Sequence, residues 1–203
     1  WLPGEGVPTT VLAAASGPDH SDGIMVAWML PADLASDLAQ PAPEGLPAEE
    51  LHCTLIYLGD TSSGVDPETL VQVVSQWAEP LATMPGEISG RGTFQTPDGL
   101  VQYASVDVKD LAAQRSRLAD MLDAEGIESP SEHGFTPHIT LAYGAVEVPI
   151  FSEPIEIGGV SVVYGDQRTD IPFGAAAMAA AAAQAPTPQN VYAIVDEMDT
   201  NAV

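Results

Sequence analysis

The sequence predicts an α+β domain. Short β-rich apolar runs alternate with amphipathic segments that carry helix caps, and Gly and Pro fall between them. A small motif is also written twice, as His52-Cys53-Thr54-Leu55 and His138-Ile139-Thr140-Leu141, each followed by a tyrosine and a glycine. A repeat of this kind points to two halves, each contributing one His-x-Thr strand.

The elements follow in order. GIMVAWML (23–30) is a compact apolar run that ends at Pro31, as a buried strand does. PADLASDLAQ (31–40) predicts a short helix with Leu34 and Leu38 on one side, and APEGLPAEE a loop. LHCTLIYL (51–58) predicts a strand that stops at Gly59-Asp60. In DPETLVQVVSQWAEP (66–80), Asp66 is a good N-cap and Pro67 suits the first turn. Leu70, Val74 and Trp77 then share a face. GEISGRGTFQ and LVQYASVDV are two strands around the turn TPDG. DLAAQRSRLADMLDAEG (110–126) is a helix with Leu111, Leu118 and Leu122 on its apolar side and Gly126 as C-cap. HITLAYG (138–144) is a strand, and PIEIGGVSVVYG (154–165) a last strand or pair.

The folded domain is thus expected over 23–174. Residues 1–22 read as a flexible connector, and 175–203 as an Ala/Pro-rich linker and tail. With Trp1 at the start and connectors at both ends, the sequence suggests a domain taken from a longer polypeptide.

Charge narrows the partners. Five Lys and Arg face 29 Asp and Glu, a formal charge of −24. Such a chain repels polyanions, so no long nucleic acid and no anionic membrane is expected as a partner. A small anionic ligand in a local pocket remains compatible, because short-range donors outweigh a screened acidic surface. The longest apolar run, FGAAAMAAAAA, is shorter than the ~18 residues that span a bilayer. A soluble protein is expected, cytoplasmic or virion-associated. The single cysteine excludes an intrachain disulfide.

In a strand, residues i and i+2 share a face. His52 and Thr54 therefore look one way, with Cys53 and Leu55 toward the core, and the same holds for His138 and Thr140 against Ile139 and Leu141. If a pseudo-twofold axis relates the halves, the two His–Thr pairs face each other across a cleft. Two opposed imidazoles suit phosphoryl chemistry: a neutral one takes a proton from water or a ribose hydroxyl, and a protonated one gives a proton to the leaving oxygen. The threonine hydroxyls donate to non-bridging phosphate oxygens. This logic requires no metal and no cofactor.

In these paired motifs the chain resembles the 2H phosphoesterase superfamily, named for two H-x-[ST] elements. HCTLIYLG and FTPHITLAYG are similar to its two signatures, including the proline before the second histidine. The family includes 2′-5′ RNA ligase-like proteins, 2′,3′-cyclic nucleotide phosphodiesterases and phage phosphodiesterases. The resemblance covers 23–174. It implies two pseudo-symmetric lobes, each an antiparallel sheet with outer helices, and an active groove between them. Carried over by motif, it implies His52, Thr54, His138 and Thr140 as the catalytic set.

Other candidates are weaker. Such enzymes commonly place basic or aromatic residues around the phosphate, and here Arg91 and Arg168, flanking strand segments, are the candidate substrate-binding cations. Arg115 and Arg117 are explained by the exposed face of their helix. Tyr143, and Tyr57 at the matching offset, are candidates for the substrate side, but strict alternation turns both toward the core. His133 is expected to be solvated and His20 idle. Cys53 has neither the partners for a structural zinc nor the orientation for a nucleophile.

The reading is a metal-independent phosphodiesterase acting on 2′,3′-cyclic phosphates, 2′-5′ linkages or small cyclic oligonucleotides, so a small nucleotide or oligonucleotide is the expected partner. The alternative is a non-catalytic module of a larger, phage virion-associated polyprotein. A purely structural module has no need of both histidines and both threonines.

Overall fold

The computed structural model describes residues 22–40, 44–96, 99–129 and 134–174. The connector, His20, the centre of the TPDG turn, His133 and the Ala-rich tail lie outside the described residues.

Among the described residues, eight strands and three α-helices follow one another as β1 (Gly23–Met29), α1 (Ala32–Leu38), β2 (His52–Asp60), α2 (Pro67–Ala78), β3 (Met84–Thr96), β4 (Gly99–Val108), α3 (Leu111–Ala124), β5 (His138–Tyr143), β6 (Phe151–Ile157), β7 (Gly159–Tyr164) and β8 (Gln167–Pro172). They form two four-stranded sheets, ordered β2-β1-β7-β8 and β5-β4-β3-β6. Every pairing is antiparallel.

The α+β, two-lobed expectation holds. The repeat is β1-α1-β2 in one lobe and β4-α3-β5 in the other. In each, the His-x-Thr strand stands at one end of its sheet and pairs with the strand before the helix. The lobes are not contiguous halves of the chain, however. β6 completes the second sheet beside β3, and β7 and β8 then return to the first.

The expected final strand or pair at 154–165 is therefore three strands over 151–172. β8 gives little sequence signal because only Ile171 of its six residues is buried, as befits an edge strand whose side chains meet water. Likewise β2 does not stop before Gly59-Asp60 but runs through it. Asp60 then caps a one-turn 3₁₀ helix at Thr61–Ser63 by accepting a hydrogen bond from Ser62 N–H.

The helices form where their caps and periodicity place them. Asp66 Oδ2 accepts from the Thr69 N–H at 2.8 Å and from its hydroxyl at 2.7 Å, which satisfies an N–H left without an intrahelical partner. Leu70, Val73, Val74 and Trp77 are buried beneath α2. Trp77 Nε1–H donates to the Gln114 carbonyl of α3 at 3.0 Å, and its ring meets Phe173 edge-on. α2 thus lies over β7 and β8 while touching α3, which packs on β2. Gly126 closes α3 in the left-handed region at φ +76°, and Ile127 N–H returns to the Leu122 carbonyl.

The second sheet is also tied to the first lobe. Residues 44–46, between α1 and β2, lie along the open edge of β5. Leu46 N–H donates to Leu141 C=O and Tyr143 N–H to Glu44 C=O, both at 2.9 Å. This pairing covers the edge and brings β5 against β2.

Candidate active site

The two motif strands carry the same irregularity. In the first sheet, Met29, Trp28 and Ala27 pair with His52, Cys53 and Thr54; Leu55 is skipped, and Val26 and Met25 pair with Ile56 and Tyr57. In the second sheet, Ser105, Ala104 and Tyr103 pair with His138, Ile139 and Thr140; Leu141 is skipped, and Gln102 and Val101 pair with Ala142 and Tyr143. Each strand is bulged at the residue after its motif threonine.

A bulge adds one residue and reverses the alternation beyond it. Cys53, Leu55, Ile56, Ile139, Leu141 and Ala142 are all buried, whereas both histidines, both threonines and both tyrosines are half-buried. The expectation that alternation turns Tyr57 and Tyr143 into the core is therefore corrected: both stand on the His–Thr face. Thr54 Oγ1 lies 3.9 Å from the sulfur of Met25, the cross-strand partner of Tyr57.

Each histidine is held in the same way. His52 Nδ1 is 2.6 Å from the Glu50 carbonyl oxygen, and His138 Nδ1 is 2.7 Å from the Thr136 carbonyl oxygen. A carbonyl only accepts, so Nδ1 carries the hydrogen in both rings. In the neutral form Nε2 then holds the lone pair. The short 3₁₀ turn Ala48–Glu50 supplies the first carbonyl, and the segment ending in Pro137 supplies the second.

The environments differ. His138 lies edge-on to Phe94 and Tyr103, with ring centroids 4.9 and 5.4 Å away, and those two rings stack at 4.2 Å. Burial holds the His138 imidazole below its ordinary pKa, with the Thr136 carbonyl partly opposing the shift. Behind the site, burial pushes the Cys53 thiol up to about 12, although a hydrogen bond from the His138 backbone partly opposes this. Cys53 therefore remains a neutral, inward-facing thiol, as the strand alternation requires.

The outlying candidates are placed as follows. Arg91 lies at the irregularity in β3 between Ser89 and Gly92. It donates to the Val148 carbonyl at 2.6 Å and sits 3.7 Å from Glu147, so its guanidinium serves the loop after β5. Arg168 shares a face with Tyr57 through Val163 and Met25. It is three strands from β2, roughly 14 Å by strand spacing, and donates to Asp170 at 2.6 Å. Tyr143 is pushed above the ordinary phenol range by burial and then by the Glu50 carboxylate.

Sequence reasoning missed Phe94 and Tyr103, which meet His138 only after β3, β4 and β5 pair. It also missed Arg115, which is half-buried, not simply exposed, and lies 5.7 Å over the Phe135 ring ahead of His138. Among the described residues no three His, Cys, Asp or Glu side chains form a metal-binding group. Among the same residues, no helix is long and apolar enough to cross a membrane.

The profile of the 2′-5′ RNA ligase superfamily matches residues 27–155, a span that contains both motif strands and the aromatic wall. The chain belongs to the 2′-5′ RNA ligase superfamily. Its fold is shared with TT0787 of Thermus thermophilus, at 22% identity and a TM-score of 0.59 over 73% of this chain and 94% of that one. It is also similar to E. coli LigT in complex with 3′-AMP, at 20% identity and a TM-score of 0.51 over 75% of this chain and 95% of LigT. At these identities the likeness is one of fold. No curated protein matches the chain by sequence. Superfamily membership makes the chain a phosphoesterase-type protein, consistent with the resemblance read from HCTLIYLG and FTPHITLAYG.

Proposed function

We propose that this chain is a metal-independent phosphodiesterase that cleaves 2′,3′-cyclic phosphates, 2′-5′ linkages or small cyclic oligonucleotides by two-histidine acid–base catalysis. The matched pair of Nδ1 hydrogen bonds, 2.6 Å at His52 and 2.7 Å at His138, carries the reading. Each bond orients one imidazole and leaves Nε2 as its proton-exchanging atom.

In the forward step a neutral imidazole takes a proton from the attacking water or ribose hydroxyl as its oxygen bonds to phosphorus. The other imidazole, protonated, gives its proton to the oxygen that leaves. Burial favours the neutral form of His138, which suits the base role. Thr54 and Thr140 lie on the same face as their histidines and donate to the non-bridging oxygens, where negative charge grows in the transition state. The formal charge of −24 favours a short substrate over a long polyanion.

The test is hydrolysis of 2′,3′-cyclic mononucleotides, 2′-5′-linked dinucleotides and cyclic di- and trinucleotides with EDTA present. His52→Ala and His138→Ala are each expected to lower kcat by about 10²–10⁴, the range of general acid–base catalysis. Turnover that EDTA abolishes and an added divalent metal restores, or full activity in either histidine variant, would overturn the mechanism.

A further inference from the structure

The wall around His138 is built from side chains that approach it from two other strands. Phe94 on β3 and Tyr103 on β4 stack with an interplanar angle of 17°, and the imidazole stands at 77° to one and 66° to the other. Phe94 is 8% exposed, so one side of His138 is closed to water. Gly92, paired with Tyr103 across the sheet, leaves room for the arrangement: a Cβ there would clash with both Cζ and the hydroxyl oxygen of Tyr103, so the ring would have to shift. Three strands are thus shaped to lay two rings against one histidine.

We propose that Phe94 and Tyr103 are positioning residues for His138, holding its ring plane so that Nδ1 stays on the Thr136 carbonyl and Nε2 alone exchanges protons. The inference rests on the two-histidine reading for its kinetic consequence only. An imidazole that loses this wall can rotate about its Cβ–Cγ bond and admit water, and either nitrogen then becomes basic. Dehydration by the rings also disfavours the imidazolium, in line with the downward shift that burial gives His138. The titratable groups placed against His138 are the Tyr103 phenol on β4 and, behind β5, the neutral Cys53 thiol of β2; His52 is the ionisable member of the motif strand beside it.

The experiment is side-chain ¹⁵N NMR of the full chain across pH, with the His138 signal assigned by its loss in His138→Ala. In the wild type, His138 is expected as the Nδ1–H tautomer, titrating below free imidazole. Tyr103→Leu removes one ring, and Gly92→Ala displaces it without removing it. Both should admit the Nε2–H tautomer and move the titration up toward free imidazole, whereas Tyr103→Phe should retain the wild-type behaviour. On a 2′,3′-cyclic mononucleotide, Tyr103→Leu should lower kcat about tenfold or more with KM within about twofold, and Tyr103→Phe should restore it.

Wild-type tautomer and titration in both Tyr103→Leu and Gly92→Ala would overturn the proposal. So would a raised KM at unchanged kcat, which would make the ring a substrate contact instead. If Tyr103→Leu fails to fold, Phe94→Leu and Gly92→Ala carry the comparison. A wild-type His138 already in the Nε2–H tautomer overturns the proposal without any variant. Absence of turnover on every substrate would sink the phosphodiesterase reading, while the NMR result would still decide the positioning role.

Discussion

Leu55 and Leu141 occupy equivalent bulges in two different sheets, each one residue after the threonine of a His-x-Thr motif. The pair shows that the halves repeat in backbone irregularity as well as in sequence. Each bulge keeps a leucine in the core while turning the following tyrosine onto the face of the histidine.

The tyrosines are therefore expected to matter for substrate and little for stability. Tyr57→Ala and Tyr143→Ala should each raise KM for a nucleotide by between about 5- and 150-fold, equivalent to losing roughly 1–3 kcal/mol of stacking on a base. Steady-state kinetics beside thermal melts checks this. Unchanged KM with a large fall in melting temperature would return the tyrosines to a packing role.

Cys53 should be catalytically silent. It is fully buried, with its thiol raised to about 12. Cys53→Ala should retain kcat within about twofold, and Cys53→Ser should cost about 1–3 kcal/mol by burying a hydroxyl in an apolar site. The native thiol should resist alkylation until the protein is unfolded. Rapid alkylation with loss of activity would contradict this placement.

Stability should depend on His138 at mildly acidic pH. Its folded-state pKa is depressed, so below the ordinary imidazole value the unfolded chain binds more protons than the folded one. The contribution is fully present above about 6.5, the unfolded value, and is lost as pH falls through the lower folded value. Asp60, Asp66 and Asp170 are also depressed, but their losses begin only in the carboxylate range. Urea titrations at pH 7.5, 6 and 5 should show a decline that His138→Ala flattens. An identical slope in the variant would show that His138 does not carry it.

Trp77 should be a large structural anchor with no catalytic share. It is fully buried, meets Phe173 edge-on and donates to Gln114. Trp77→Ala should destabilise by about 3–5 kcal/mol. The fraction that stays folded should keep the wild-type KM, as measured by kinetics on protein titrated for folded sites.

Much of the fold was legible where local physics decides it. Asp66, Pro67 and the Leu70–Val74–Trp77 face announce α2, and Gly126 announces the end of α3, because capping and amphipathic periodicity are properties of neighbouring residues. β8 was illegible because an edge strand with one buried residue leaves no apolar alternation to read. The roles of Arg91 and Arg168 could not be read either, since a cation's partners, here Val148 and Asp170, depend on which loops and strands come together.

By itself, the sequence determined the α+β class and the two motifs, with His52 and Thr54 on one strand face and His138 and Thr140 on another. Period-two alternation within three residues needs no tertiary information. Only the tertiary structure decided that Tyr57 and Tyr143 join that face and that Phe94 and Tyr103 wall in His138. It also decided that β7 and β8 return to the first sheet. A bulge exists only relative to the partner strand, and a ring contact across β3, β4 and β5 exists only once their register is set.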